Sequence, residues 1–178
     1  MIEHGKHLVK RFFGSIFAKE LSLEAQGWVS DRLLGGEKLI WNQLSVEDQC
    51  HSHEVALNVF LRCQDELDVS DEKLRTIVAA ALLHDCGKLV SGYGTYRRVG
   101  ATLFWLVVPS SNAKKWVNKK GLKKLAQYRL HPELGAKMLK EAGSSELTYV
   151  WAADHHKPSE KWATPHQIGS ILKECDDD

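Results

Sequence analysis

The stretch "ALLHDCGKL", residues 81–89, ends an apolar run on an adjacent histidine and aspartate, His84 and Asp85, and continues through Cys86, Gly87 and Lys88. Behind it, Leu74, Ile77, Val78, Ala81 and Leu82 recur at helical spacing after Ser70, a good N-cap, so the stretch reads as the end of a buried helix. His84 follows Ile77 by seven positions and Ala80 by four, which turns its imidazole to the same inward face. Ionisable groups on a core face are costly unless a partner compensates their desolvation.

The same arithmetic finds more of them. His51 precedes Val55 and Val59 by four and eight positions, and His131 leads Leu134 and Met138 by three and seven. His155 follows Trp151 and Ala152 by four and three, and Asp176 follows Ile168 and Leu172 by eight and four. Four histidines and two aspartates thus face the interior from five helices, and a metal centre is the usual partner for such a set. Imidazoles with carboxylates and no thiolate suit iron or manganese better than a structural zinc, with magnesium, nickel, cobalt and zinc still open. Asp85, beside His84, could bridge two ions.

Around these residues the chain is helical, with no convincing strand. Ser45 with Asp48 resembles a capping box, Gly100 to Val108 reads as a helix ended by Pro109, and Pro132 suits the first turn of a helix stopped by Gly143. Ser145 opens another helix and Thr164-Pro165 the last. Leu8, Phe12, Phe13, Ile16 and Phe17 predict one more, reaching to about Leu23. A length of 178 residues, 43% hydrophobic and 26% charged, fits one all-α domain over residues 1–178. Within it, a helical extension over 1–40 packs on a motif-bearing core over 41–178.

Four cysteines without a CxxC pair argue against a disulfide framework and a zinc knuckle, and point to a reducing, cytoplasmic setting. No signal-peptide pattern opens the chain, and the run Leu103 to Val108 is too short to span a bilayer. The formal net charge of +1 hides an asymmetry: no acid lies between Asp85 and Glu133, a stretch with ten of the 24 basic residues. The rest of the chain carries 14 basic against 23 acidic residues, so an anionic substrate meets one positive side.

The ordered set His51, His84-Asp85, His131, His155-His156 and Asp176 resembles the HD-domain superfamily of metal-dependent phosphohydrolases. "HSHEVA" is similar to its first-histidine helix, "LLHDCGK" to its defining doublet, and "HPELGAKML" and "DHH" to its later histidines. The resemblance implies a compact multi-helix HD-domain bundle with the metal site in its core. His51, His84, Asp85 and Asp176 would hold one ion, and Asp85 would bridge to a second held by His131 and His155. This set is similar to the two-metal branch that includes the HD-GYP phosphodiesterases. His156 and Glu47 resemble additional ligands of a three-metal variant.

The implied substrate is a phosphate ester of a nucleotide, a cyclic (di)nucleotide or a similar small molecule, hydrolysed by a metal-activated hydroxide. Asp85 and Lys88 are the implied catalytic residues. Lys88 matches the lysine of the family's HDxGK text and would hold the phosphate, where Gly87 would let the backbone turn out of the helix. Arg97, Arg98, Arg129 and Lys157 are further substrate-binding candidates, with Lys137 a weaker one. The text "KPSEKW" after His156 lacks the glycine-tyrosine-proline signature, so specificity for cyclic di-GMP is not implied. With Asp178 last in the chain, the site is expected to depend on a docked C-terminus. A different reading is a non-catalytic signalling or adaptor module that binds nucleic acid or an anionic membrane through residues 97–124. Oligomeric state is left open.

Overall fold

Serine hydroxyls set several helix starts in the computed structural model, which describes residues 19–177. Ser22 caps α1 (Leu23–Arg32), and α2 (Gly35–Trp41) follows. Ser45 caps α3 (Val46–Glu66), its Oγ accepting from the Asp48 amide at 3.2 Å, and Ser70 caps α4 (Asp71–Leu83) in the same way from Lys73 at 3.3 Å. Short helices α5 (Lys88–Ser91), α6 (Thr95–Val107), α7 (Asn112–Trp116) and α8 (Lys123–Arg129) come next. They lead to α9 (His131–Glu141), the Ser145-capped α10 (Glu146–Asp154), a 3-10 turn at Ser159–Lys161, and α11 (His166–Asp177). The described residues contain no strand.

Three expectations need correcting. The helix expected from Gly100 starts five residues earlier, because Gly94 adopts the extended N-cap conformation and Gly100 lies within the helix on its exposed side. The segment expected to form an N-terminal helix up to about Leu23 falls largely outside the described residues; residues 19–22 are not helical, and Leu23 opens a new helix instead of closing one. The stripe expected on α4 widens to the whole circumference over its second half, where every residue from Ile77 to Leu83 is buried. A helix apolar all round belongs at the centre of a bundle.

That centre organises the rest. α4 packs along α3 on one side and α10 on another, α9 packs on α10, and α11 packs on α3. α1 and α2 lie against α4, so Val29, Leu33, Ile40 and Trp41 join one core with Val55, Val59, Ile77, Leu82, Trp151 and Leu172. α5 and α8 pair and join α9, with α6 and α7 on α8. The C-terminal end of α4 therefore comes out beside α9, α10 and the α3–α11 pair.

Candidate metal centre

Three histidines sit where helices begin or end. His84 is the C-cap of α4, His155 the C-cap of α10, and His131 the first residue of α9. Each turns its Nδ1 back to the carbonyl three residues before it, His84 to Ala81, His131 to Tyr128 and His155 to Ala152, all at 2.8 Å. A carbonyl only accepts, so Nδ1 carries the proton, and in the neutral ring Nε2 keeps its lone pair. All three rings are buried, and among the described residues none of the three Nε2 atoms has a hydrogen bond.

These lone pairs converge on carboxylates. Asp85, itself buried, has His131 Nε2 at 3.2 Å and His155 Nε2 at 3.5 Å from Oδ1, while Oδ2 has His84 Nε2 at 3.4 Å and the Lys88 ammonium. Asp176 Oδ1 lies 3.1 Å from His51 Nε2 and 3.5 Å from His84 Nε2. One carboxylate therefore divides its two oxygens between two groups of imidazoles. His51, His84 and Asp85 have ligand-type atoms within 4.8 Å of one another, and so do Asp85, His131, His155 and His156.

Acceptor facing acceptor is unfavourable unless a proton or a metal cation lies between them. Burial opposes a proton on either ring. For His84 the carboxylates of Asp85 and Asp176 outweigh it and lift the pKa to about 10, whereas for His155 burial prevails and holds it down to about 4. Burial also opposes ionisation of Asp85, yet Lys88 and His84 hold its carboxyl well below the usual carboxylate range. The neutral His155 lone pair and the ionised Asp85 oxygen thus meet directly, and the negative ends of the α4 and α10 dipoles add to the attraction for a cation. The donor set and its orphaned atoms fit divalent metal ions.

A glycine crossing brings His131 to Asp85. Gly87 was expected to turn the chain out of the helix, but its φ of −62° is ordinary helical backbone. Its requirement is steric: a Cβ there would lie 1.9 Å from the His131 carbonyl oxygen and 2.6 Å from the Gly135 nitrogen. Gly135 faces it one turn into α9, and the buried stripe of that helix runs His131, Gly135 and Leu139, with Leu134 and Met138 on its flanks.

Of the remaining candidates, His156 is exposed but joins the second ligand group, and Glu47 joins neither. Lys88 lies in the cluster against Asp85. Arg98 is committed to Asp48, 2.6 Å from its Oδ1, and to the Tyr93 carbonyl at 2.9 Å. Lys157 pairs with Asp154 at 2.8 Å, and Lys137 with Glu141 on the surface. Arg97 lines a cleft of about 340 Å³ with Tyr93, Gly100, Ala101, Phe104 and Leu125. Tyr93 packs on Tyr128 and Tyr128 on His131, with ring centroids 6.1 and 6.0 Å apart, so two aromatic contacts link the cleft wall to the cluster. Arg129 is half-buried at the end of α8.

Asp154 is the functional residue that sequence reading passes over. Its buried carboxylate accepts from the Ala163 amide at 2.7 Å and from the Thr164 amide and hydroxyl, both at 2.9 Å. It fixes the segment after α10, and with it the His155-His156 pair. Its only sequence signal is adjacency to that pair.

A helical bundle with histidines and aspartates gathered at its helix ends defines a class of metal-binding α-proteins. Comparison with family models narrows it: the HD domain model matches residues 49–177. The chain belongs to the HD domain family, the superfamily of metal-dependent phosphohydrolases that its motifs resemble. No curated protein and no solved structure matches it.

Proposed function

We propose that this protein hydrolyses a phosphate ester of a nucleotide, a cyclic (di)nucleotide or a similar small molecule with the help of two divalent ions, to each of which Asp85 would offer one carboxylate oxygen. The observation that carries this reading is the Asp85 carboxylate, one oxygen toward His131 and His155 and the other toward His84, each imidazole with an orphaned Nε2. Bound ions, iron or manganese for preference, would acidify a water and neutralise charge developing on the phosphoryl group.

The chain's own residues do the rest. His51, His84, Asp85 and Asp176 would hold one ion and Asp85, His131 and His155 the other, with His156 at the open edge of the second group. The backbone carbonyls on Nδ1 fix the ring tautomers and keep each lone pair aimed inward. Lys88, already beside Asp85, would transfer its ammonium from that carboxylate to a phosphate oxygen. Arg97 and the cleft it lines have room for the organic part of the ester, and Arg129 lies on the same basic side. Arg98 and Lys157, engaged with Asp48 and Asp154, are better read as structural cations.

The test is elemental analysis of anaerobically purified protein beside an Asp85→Ala variant, with hydrolysis of bis(p-nitrophenyl) phosphate followed in parallel. About two ions per chain, lost together with turnover in the variant, are expected. Metal-free, inactive protein after reconstitution with iron and manganese would leave the helical module without this chemistry.

A further inference from the structure

Helix α6 is apolar on two sides. Its inner side buries Ala101 and sets Phe104 and Trp105 against Trp116, with ring centroids 6.2 and 5.6 Å apart, while the Trp105 indole donates to the Leu125 carbonyl at 3.2 Å. Its outer side presents Tyr96, Leu103, Leu106 and Val107 at 75, 57, 69 and 82% exposure. Leu103, Leu106 and Val107 stand at i, i+3 and i+4, a single stripe. The adjoining α7 and α8, which meet α6 through Trp116 and Leu125, expose with the turn between them Lys114, Lys115, Lys119, Lys120, Lys123 and Lys124, and no acid occurs from residue 86 to residue 132.

We infer that this α6–α8 surface docks on an anionic lipid bilayer. The aliphatic stripe would enter the boundary between headgroups and acyl chains, and the lysines would meet the anionic headgroups. Two features select this occupant. A nucleic acid would use the lysines but give Leu106 and Val107 nothing to gain, whereas a bilayer uses both halves of the surface. A second copy of the chain would bring the same positive face, and residues 1–18, with Lys6, Lys10 and Arg11 against Glu3 alone, carry the same sign. Charge complementarity points to an anionic surface with an apolar interior.

Co-sedimentation of the full chain with vesicles of phosphatidylcholine alone, and of equal parts phosphatidylcholine and phosphatidylserine, tests the inference. Binding to the serine-containing vesicles only is expected, weakened by salt, and on the order of tenfold weaker in Leu106→Gln/Val107→Gln and in Lys119→Glu/Lys120→Glu. Asp85→Ala should bind vesicles as the parent does, which separates this surface from the metal centre. All four substituted surface residues are exposed, and if one double variant fails to fold the other decides alone. The inference is overturned by no binding to serine-containing vesicles, or by binding that the Leu106/Val107 variant retains in full. It is equally overturned if an oligonucleotide is preferred and binds the parent and the Leu106/Val107 variant equally, or if the parent dimerises in sedimentation velocity and the Leu106/Val107 variant does not.

Discussion

Asp85 supplies one oxygen to each half of the cluster, while His51 and His131 each face one carboxylate. On the proposed reading, His51→Ala and His131→Ala should each lower metal content by about one ion per chain and Asp85→Ala by about two, measured by elemental analysis after equal loading. Asp154 makes a different prediction because it touches no proposed ligand atom. Removing its carboxylate strands the amide and hydroxyl of buried Thr164, while the exposed Ala163 amide and Lys157 can turn to water, so Asp154→Ala should cost about 1–3 kcal/mol in urea unfolding at neutral pH. Burial works to raise the Asp154 pKa, but Lys157 and the Thr164 and Ala163 donors outweigh it and hold it below the ordinary aspartate value of 3.8. The stabilisation is therefore complete above that value and is lost as pH falls through the lower folded-state pKa; parent and variant should converge in acid. Convergence at neutral pH instead would mean that the carboxylate charge contributes nothing. Nothing in the local text reveals this role, since the donors to Asp154 lie nine and ten residues downstream, across the 3-10 turn.

At the scale of helices, capping was legible and crossing was not. Ser45, Ser70 and Ser145 announce their helices because a cap is a contact over three residues. Gly87 misleads for the opposite reason: its need for no side chain is imposed by α9, whose His131 carbonyl is more than forty positions away. A Cβ at residue 87 must push α9 outward, so Gly87→Ala should lose about 2–4 kcal/mol or fail to fold and, on the proposed reading, should deplete the ion that His131 would hold before the one that His51 would hold. At Gly135 the nearest atom to an added Cβ would be the Gly87 nitrogen at 3.0 Å. Gly135→Ala should therefore be milder, costing about 1 kcal/mol. Thermal melts of the two variants with and without manganese would separate loss of packing from loss of a ligand.

Across the whole molecule, the proposed ligands come from α3, α9 and α11 and from the C-terminal ends of α4 and α10, so bound ions would cross-link the bundle. Metal at about a hundred times its dissociation constant should add about 2.7 kcal/mol, and at about 2–4 °C per kcal/mol for a chain of this size the melting temperature should rise by about 5–10 °C. A chelator should reverse the rise, and an unchanged melting temperature would contradict metal binding to the folded state. Histidine positions were readable because each repeats a helical apolar period, whereas the ion pair of Arg98 with Asp48 joins residues fifty apart and leaves no periodic trace. The shared core extends beyond the family boundary at residue 49, since Val29, Leu33, Ile40, Trp41 and Leu44 precede it. A fragment trimmed to residues 49–178 would strip the cover that α1 and α2 lay over α4 and present bare aliphatic surface to water. Expression of that fragment should give aggregates, so the smallest autonomous unit of this protein is set by packing and is longer than the stretch by which its family is recognised.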